Sequence, residues 1–123
     1  MHIGLADFAA PALLILGDET SLNWLAGCIA TRQSIGLATS PLVKLVSVGL
    51  VIAPTDAEGS LSRSNTLFNW KVSRLEAQQF AQQLRALAGT GKPAHAYLDP
   101  NTNSAGVQVI ASQGEYRDAV FIQ

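Results

Sequence analysis

Charge is scarce in this chain. Of its 123 residues only 14% are Asp, Glu, Lys or Arg, and the formal net charge is −1. No run of Lys and Arg occurs, so the electrostatic footprint of a nucleic-acid-binding protein is missing. Cysteine is almost absent. Cys28 stands alone and cannot close an internal disulfide, so nothing points to an oxidising compartment. Its setting, Ala26-Gly27-Cys28-Ile29, holds no basic neighbour to stabilise a thiolate and reads as a small buried hydrophobe. Long apolar runs are lacking too: Val43 to Ala53 falls far short of the ~20 residues that cross a membrane. No basic n-region opens the chain, and Asp7 interrupts its first apolar stretch, so no signal peptide is expected and the cytoplasm is the expected location. GxGxxG, P-loop, GxSxG, CxxC and HExxH motifs are all missing. His2 and His95 are the only histidines and lie far apart, so neither a metal site nor a cofactor is expected.

Hydrophobic residues make up 48% of the chain, enough for a core that needs no disulfide or metal. No repeat, low-complexity tract or linker divides it, so residues 1–123 form one expected domain. Ala12 to Leu16, "ALLIL", bounded by Pro11 and Gly17, reads as a buried strand. A helix follows, with Leu22, Leu25, Ala26 and Ile29 on one face, Asp18 as its cap, Glu19 in its first turn and Arg32 in its last. Lys44 to Ala53 reads as one central strand, covered on both sides or on one side by a partner chain. After the turn-rich stretch Thr55 to Ser64, Thr66, Phe68, Trp70 and Val72 alternate with Leu67, Asn69 and Lys71. The period of two predicts a half-exposed strand, paired in a hairpin with the preceding one.

Ser73-Arg74-Leu75-Glu76 is a capping box that opens an amphipathic helix with Ala77, Phe80, Ala81, Leu84 and Leu87 inward, stopped by Gly89 and Gly91. Ala94 to Asp99 and Val107 to Ser112 read as strands joined through Asp99-Pro100-Asn101. The fold class is therefore α+β: a two-layer sandwich with a mostly antiparallel sheet of about five strands and two amphipathic helices.

Candidate chemistry concentrates near the C-terminus. On a strand, His95, Tyr97 and Asp99 share one face, and Ala94, Ala96 and Leu98 the other. With Glu115, the first set can support acid–base chemistry or hold a ligand, although any half-exposed strand offers the same pattern. Ser112-Gln113-Gly114-Glu115 reads as a second capping box, with both polar side chains spent on backbone amides of a short helical turn. Trp24 and Trp70 each read as partly buried core or as an interface hot spot, and Trp24, off the apolar helix face, is the more open to the second reading. Asp7, Asp18 and Glu19 precede the first basic residue, Arg32, and leave that quarter mildly acidic, either as plain solvated surface or as a patch for a basic partner.

"ILGDETSLNWLAGCI" resembles the strand-then-helix opening of several small bacterial families. "VSRLEAQQFAQQLRALA" followed by "HAYLD" and "VQVIASQGEY" is similar to their helix, histidine-containing strand and closing strand. Immunity proteins of polymorphic toxin systems are among them, and the long apolar stretch from Lys44 departs from their pattern. The resemblance implies a non-catalytic cytoplasmic protein that binds another protein, a toxin domain above all. Its expected contact residues are Trp24, Asp18, Glu19, His95 and Tyr97. Two other expectations stand beside it: a small enzyme or ligand-binding domain built on His95, Tyr97, Asp99 and Glu115, and a homodimer formed across the charge-poor stretch Val43 to Ala53.

Overall fold

The computed structural model describes residues 1–122. Among these the chain is α+β, with ten strands and two helices. The strands are β1 (His2–Asp7), β2 (Pro11–Leu16), β3 (Ile35–Gly36), β4 (Lys44–Val46) and β5 (Gly49–Pro54). Then come β6 (Ser60–Ser64), β7 (Leu67–Val72), β8 (Ala94–Tyr97), β9 (Thr102–Asn103) and β10 (Gln108–Gln113). The helices are α1 (Glu19–Ala30) and α2 (Arg74–Ala88). In place of one sheet there are two, both mixed: a first of order β4-β1-β2-β10-β8 and a second of order β3-β5-β7-β6-β9.

Both helices start as their sequences dictate. The Asp18 carboxylate accepts the Ser21 N–H at 2.8 Å, and the Ser73 hydroxyl accepts the Glu76 N–H at 3.2 Å while Glu76 reaches back to the Ser73 N–H. The end of α1 departs from expectation. The helix stops at Ala30, and Arg32 lies beyond it in the left-handed region, with φ 56°. The Arg32 N–H donates to the Ile29 carbonyl and the Gln33 N–H to the Cys28 carbonyl, the Schellman ending that usually employs glycine. The Arg32 guanidinium donates to the Thr55 carbonyl at 2.8 Å.

The stretch expected as one strand is two. Ser47 adopts φ 60°, and the chain turns there from the edge of the first sheet into the second. Beyond the break β5 lies between β3 and β7, with Leu50 and Ile52 in the core. Leu50 and Ile52 are thus covered from within the chain, while Val43, Leu45, Val48 and Val51 stay half-buried. The expected hairpin of β5 with β7 is a parallel pair instead, and β6, inside the polar stretch read as turn, is the antiparallel partner of β7.

One core joins α1 and α2 to the inner faces of both sheets. Ile3, Leu13, Ile15 and Val109 come from the first sheet, and Leu50, Ile52, Phe68 and Trp70 from the second. Alternation in β7 holds as read, with Phe68, Trp70 and Val72 buried. The first sheet is covered on its other face as well. Ala6, Ala12, Leu14 and Ile110 form a second, smaller core there with Phe121. Phe121 belongs to the segment after β10, which crosses this outer face. It makes a bridge from Phe121 to Ala6, and the Ile122 N–H donates to the Leu5 carbonyl at 2.8 Å. Gly4 makes room for it, since a Cβ at Gly4 would stand 2.8 Å from the Phe121 ring.

Candidate functional site

The strand register builds the site. His2 pairs with Leu16, Leu16 with Ser112 and Ser112 with His95, so these four side chains form one row on the outer face of the first sheet. The crossing segment is fastened at both ends of the row. His2 Nδ1 meets the Asp118 carboxylate at 2.5 Å, and His95 Nδ1 lies 3.0 Å from both carboxylate oxygens of Glu115. Ser112, fully buried, donates its hydroxyl to Glu115 at 2.7 Å.

The second capping box is therefore absent. No helical turn starts at Glu115; Gly114 turns the chain with φ 74°, and a short 3-10 turn appears only at Asp118–Val120. Glu115 bonds both Ser112 and His95 because Ser112 stays in β10, directly opposite His95. Burial alone would raise the Glu115 carboxyl. The hydrogen bonds from Ser112 and His95, together with the His95 charge, outweigh it and hold the carboxyl below its ordinary range. A carboxylate only accepts, so Nδ1 of His95 carries the proton, and Nε2 has no hydrogen bond among the described residues.

Beside this pair lies a cleft of about 390 Å³. Phe8 and Ala9 of the β1–β2 turn, His95 and Tyr97 of β8, Ile110 of β10 and Tyr116 of the crossing segment line it. The Tyr116 ring packs on Phe8 at 5.2 Å, and the His95 ring stands edge-on to Tyr97 at 5.6 Å. Tyr97 is 45% exposed and Tyr116 38%, so both phenols stand open to a visitor.

Of the residues singled out in the sequence, His95, Tyr97 and Glu115 meet here. Asp99 does not; past the end of β8 it lines a groove against α2. Asp18 and Glu19 lie at the start of α1, and Asp18 is occupied as its cap. Hydrogen bonds from the Ser21 backbone and hydroxyl hold its carboxyl low. Asp7 pairs with Pro11, at the far end of the β1–β2 ladder from the start of α1, so the three acids form no patch. Trp24 is half-buried against the core, and Trp70 is fully buried. Phe8, Tyr116 and the part played by Ser112 escaped the sequence, because all three depend on what is folded onto the outer face.

The arrangement presents one oriented imidazole beside the Tyr97 ring, in a cleft that Phe8 and Tyr116 also line. No group of three or more His, Cys, Asp and Glu side chains suited to a metal occurs among the described residues. No helix there is long and apolar enough to cross a membrane. No family model, no curated protein and no solved structure matches the chain. What stands established is an α+β protein with two mixed sheets and an aromatic cleft on the outer face of the first.

Proposed function

We propose that this is a non-catalytic protein-binding protein, and that the outer-face cleft around His95 is its contact surface. The carrying observation is the pair of half-exposed tyrosines, Tyr97 and Tyr116, set around an imidazole that Glu115 holds in place. Tyrosine offers a large contact area at a low entropy cost and dominates binding hot spots, and a pre-oriented imidazole adds direction without an ordering cost. With Asp18 committed to its helix cap and Asp7 remote, electrostatic steering by acidic residues contributes little to this reading. The specific form of the proposal is a cytoplasmic immunity protein whose partner is a toxin domain, as the resemblance implies.

The test is direct. The product of the neighbouring gene is titrated with the chain, and its toxicity is scored with and without coexpression. Binding that weakens about tenfold on Tyr97→Ala or Tyr116→Ala supports the proposal. A neighbour that is neither bound nor neutralised removes the immunity reading.

The linked Ser112, Glu115 and His95 favour a second reading, a small enzyme or ligand-binding domain. Glu115 fixes the tautomer of a base whose Nε2 has no partner among the described residues. A small-molecule screen by NMR that shifts Tyr97 and Tyr116 resonances, with turnover lost on His95→Gln, would select it over protein binding.

A further inference from the structure

The longest free strand edge in the described molecule is that of β8, which ends the first sheet. The Leu98 N–H donates to the Val109 carbonyl at 2.9 Å. Antiparallel alternation then aims the backbone of Ala94 and Ala96 at β10 and that of His95 and Tyr97 outward. One outward group is already engaged: the Gln83 side-chain amide, from α2, donates to the Tyr97 carbonyl at 2.9 Å. The Tyr97 N–H and both backbone groups of His95 face no strand among the described residues.

A groove runs beside this edge, with α2 as its other wall. It consists of two depressions, of about 480 Å³ and about 280 Å³, that share Gln83 and Ala86 as lining residues. On one side it extends from Ala94 of β8 to Asp99 just past that strand, and on the other from Gln79 of α2 to Thr90 just past that helix. At a rise of ~3.3 Å per strand residue, that span accepts an extended segment of about five residues. Ala86, Ala94 and Ala96 leave its walls low. Phe80 and Leu87 give it an apolar floor, and Asp99 places a negative charge at one end.

We infer that this groove binds an extended peptide segment of a partner protein, which adds to β8 as a further strand of the first sheet. Outward N–H and C=O groups repeating every second residue are met as a set only by another extended backbone. Small or aliphatic side chains of the segment fill the space over Ala86, and a Lys or Arg at one end pairs with Asp99. Gln83 is a placeholder that the incoming backbone displaces. The inference rests on the protein-binding reading and adds to the outer-face cleft a second contact, at the neighbouring sheet edge.

The probe is a display library of random linear eight-residue peptides, panned on the full chain, with enriched peptides synthesised and titrated. Enriched sequences carry a basic residue toward one end. Their binding slows hydrogen exchange at the Tyr97 and His95 amides. Ala86→Trp, which fills the groove from an exposed helix position, weakens binding about tenfold or more. Gln83→Ala, which frees the Tyr97 carbonyl, strengthens it severalfold, whereas a Gln83 that merely touched the peptide would weaken it on removal. Leu42→Ala, exposed beside β4 at the opposite edge of the sheet, leaves it unchanged. Unchanged thermal melting of Ala86→Trp shows that the variant folds; were it not to fold, the exchange pattern and Gln83→Ala decide alone. Peptides sensitive to Tyr116→Ala but not to Ala86→Trp overturn the groove and keep the protein-binding reading. A library that yields no binder overturns the groove as well, and leaves the neighbouring-gene titration to judge the protein-binding reading separately.

Discussion

Glu115 holds His95 across twenty residues of sequence, with both carboxylate oxygens 3.0 Å from the ring nitrogen. The carboxyl titrates below its ordinary value of 4.5 in the folded chain. A depressed folded value means that the contact contributes stability above the unfolded value and loses it as pH falls through the folded one. Glu115→Gln should therefore melt below the parent at pH 6. The gap, a fraction of a kcal/mol to about 1 kcal/mol, should close as the pH drops below 4. Melting curves across that range check it, and a gap that persists at low pH would contradict the assignment.

The carboxylate of Glu76 occupies the place where a side chain at Gly59 would stand, for a Cβ there would lie 1.5 Å from Oε1. That carboxylate is also bound, since it accepts the Ser73 N–H at 3.1 Å and the Asn101 N–H at 2.9 Å. Gly59→Ala should cost about 1–3 kcal/mol through overpacking. Glu76→Ala should cost a similar amount, about 1–3 kcal/mol, by stranding two amides. Urea denaturation of the single and double variants is the measurement. The double should cost less than the sum, because the alanine at 59 then meets no carboxylate.

Phe121 seals the outer face over Gly4 and Ala6. Phe121→Ala should release the crossing segment locally. Its cost should then lie below the about 3–5 kcal/mol of a Phe→Ala change in a closed core. Hydrogen exchange reads it: the Ile122 amide, bonded to the Leu5 carbonyl, should lose protection while amides in the middle of α2 keep theirs.

Burial pushes the Cys28 thiol above its ordinary range. Alkylation by iodoacetamide at pH 8 should therefore be slow in the folded chain and fast in denaturant. Rapid native labelling would place the thiol outside the core.

Local signals in the sequence were obeyed where they acted alone. Asp18 and Ser73 start their helices, Gly89 ends the second, and the alternation from Phe68 to Val72 divides β7 between core and solvent. What escaped needed a distant partner. Ser47 carries no mark of its positive φ, so Lys44 to Ala53 reads as one strand although it serves two sheets. "SLSRS" looks like loop because its single buried residue, Leu61, meets its neighbour Trp70 only after β7 pairs. In "SQGEY" the spacing fits a capping box equally well, and only the Ser112–His95 register decides otherwise. His95, Tyr97 and Glu115 were legible as candidates for the same reason that their geometry was not: composition shows which groups are present, and sheet order decides which of them meet.

The order of the first sheet has a consequence for synthesis. β2, with Ala12, Leu13, Leu14 and Ile15 fully buried in the finished fold, finds its β10 neighbour only about a hundred residues later. At ~5–20 residues per second the ribosome leaves that greasy edge bare for roughly 5–20 s. A nascent chain in this state is a natural client for holding chaperones, and slower translation would aggravate its tendency to aggregate.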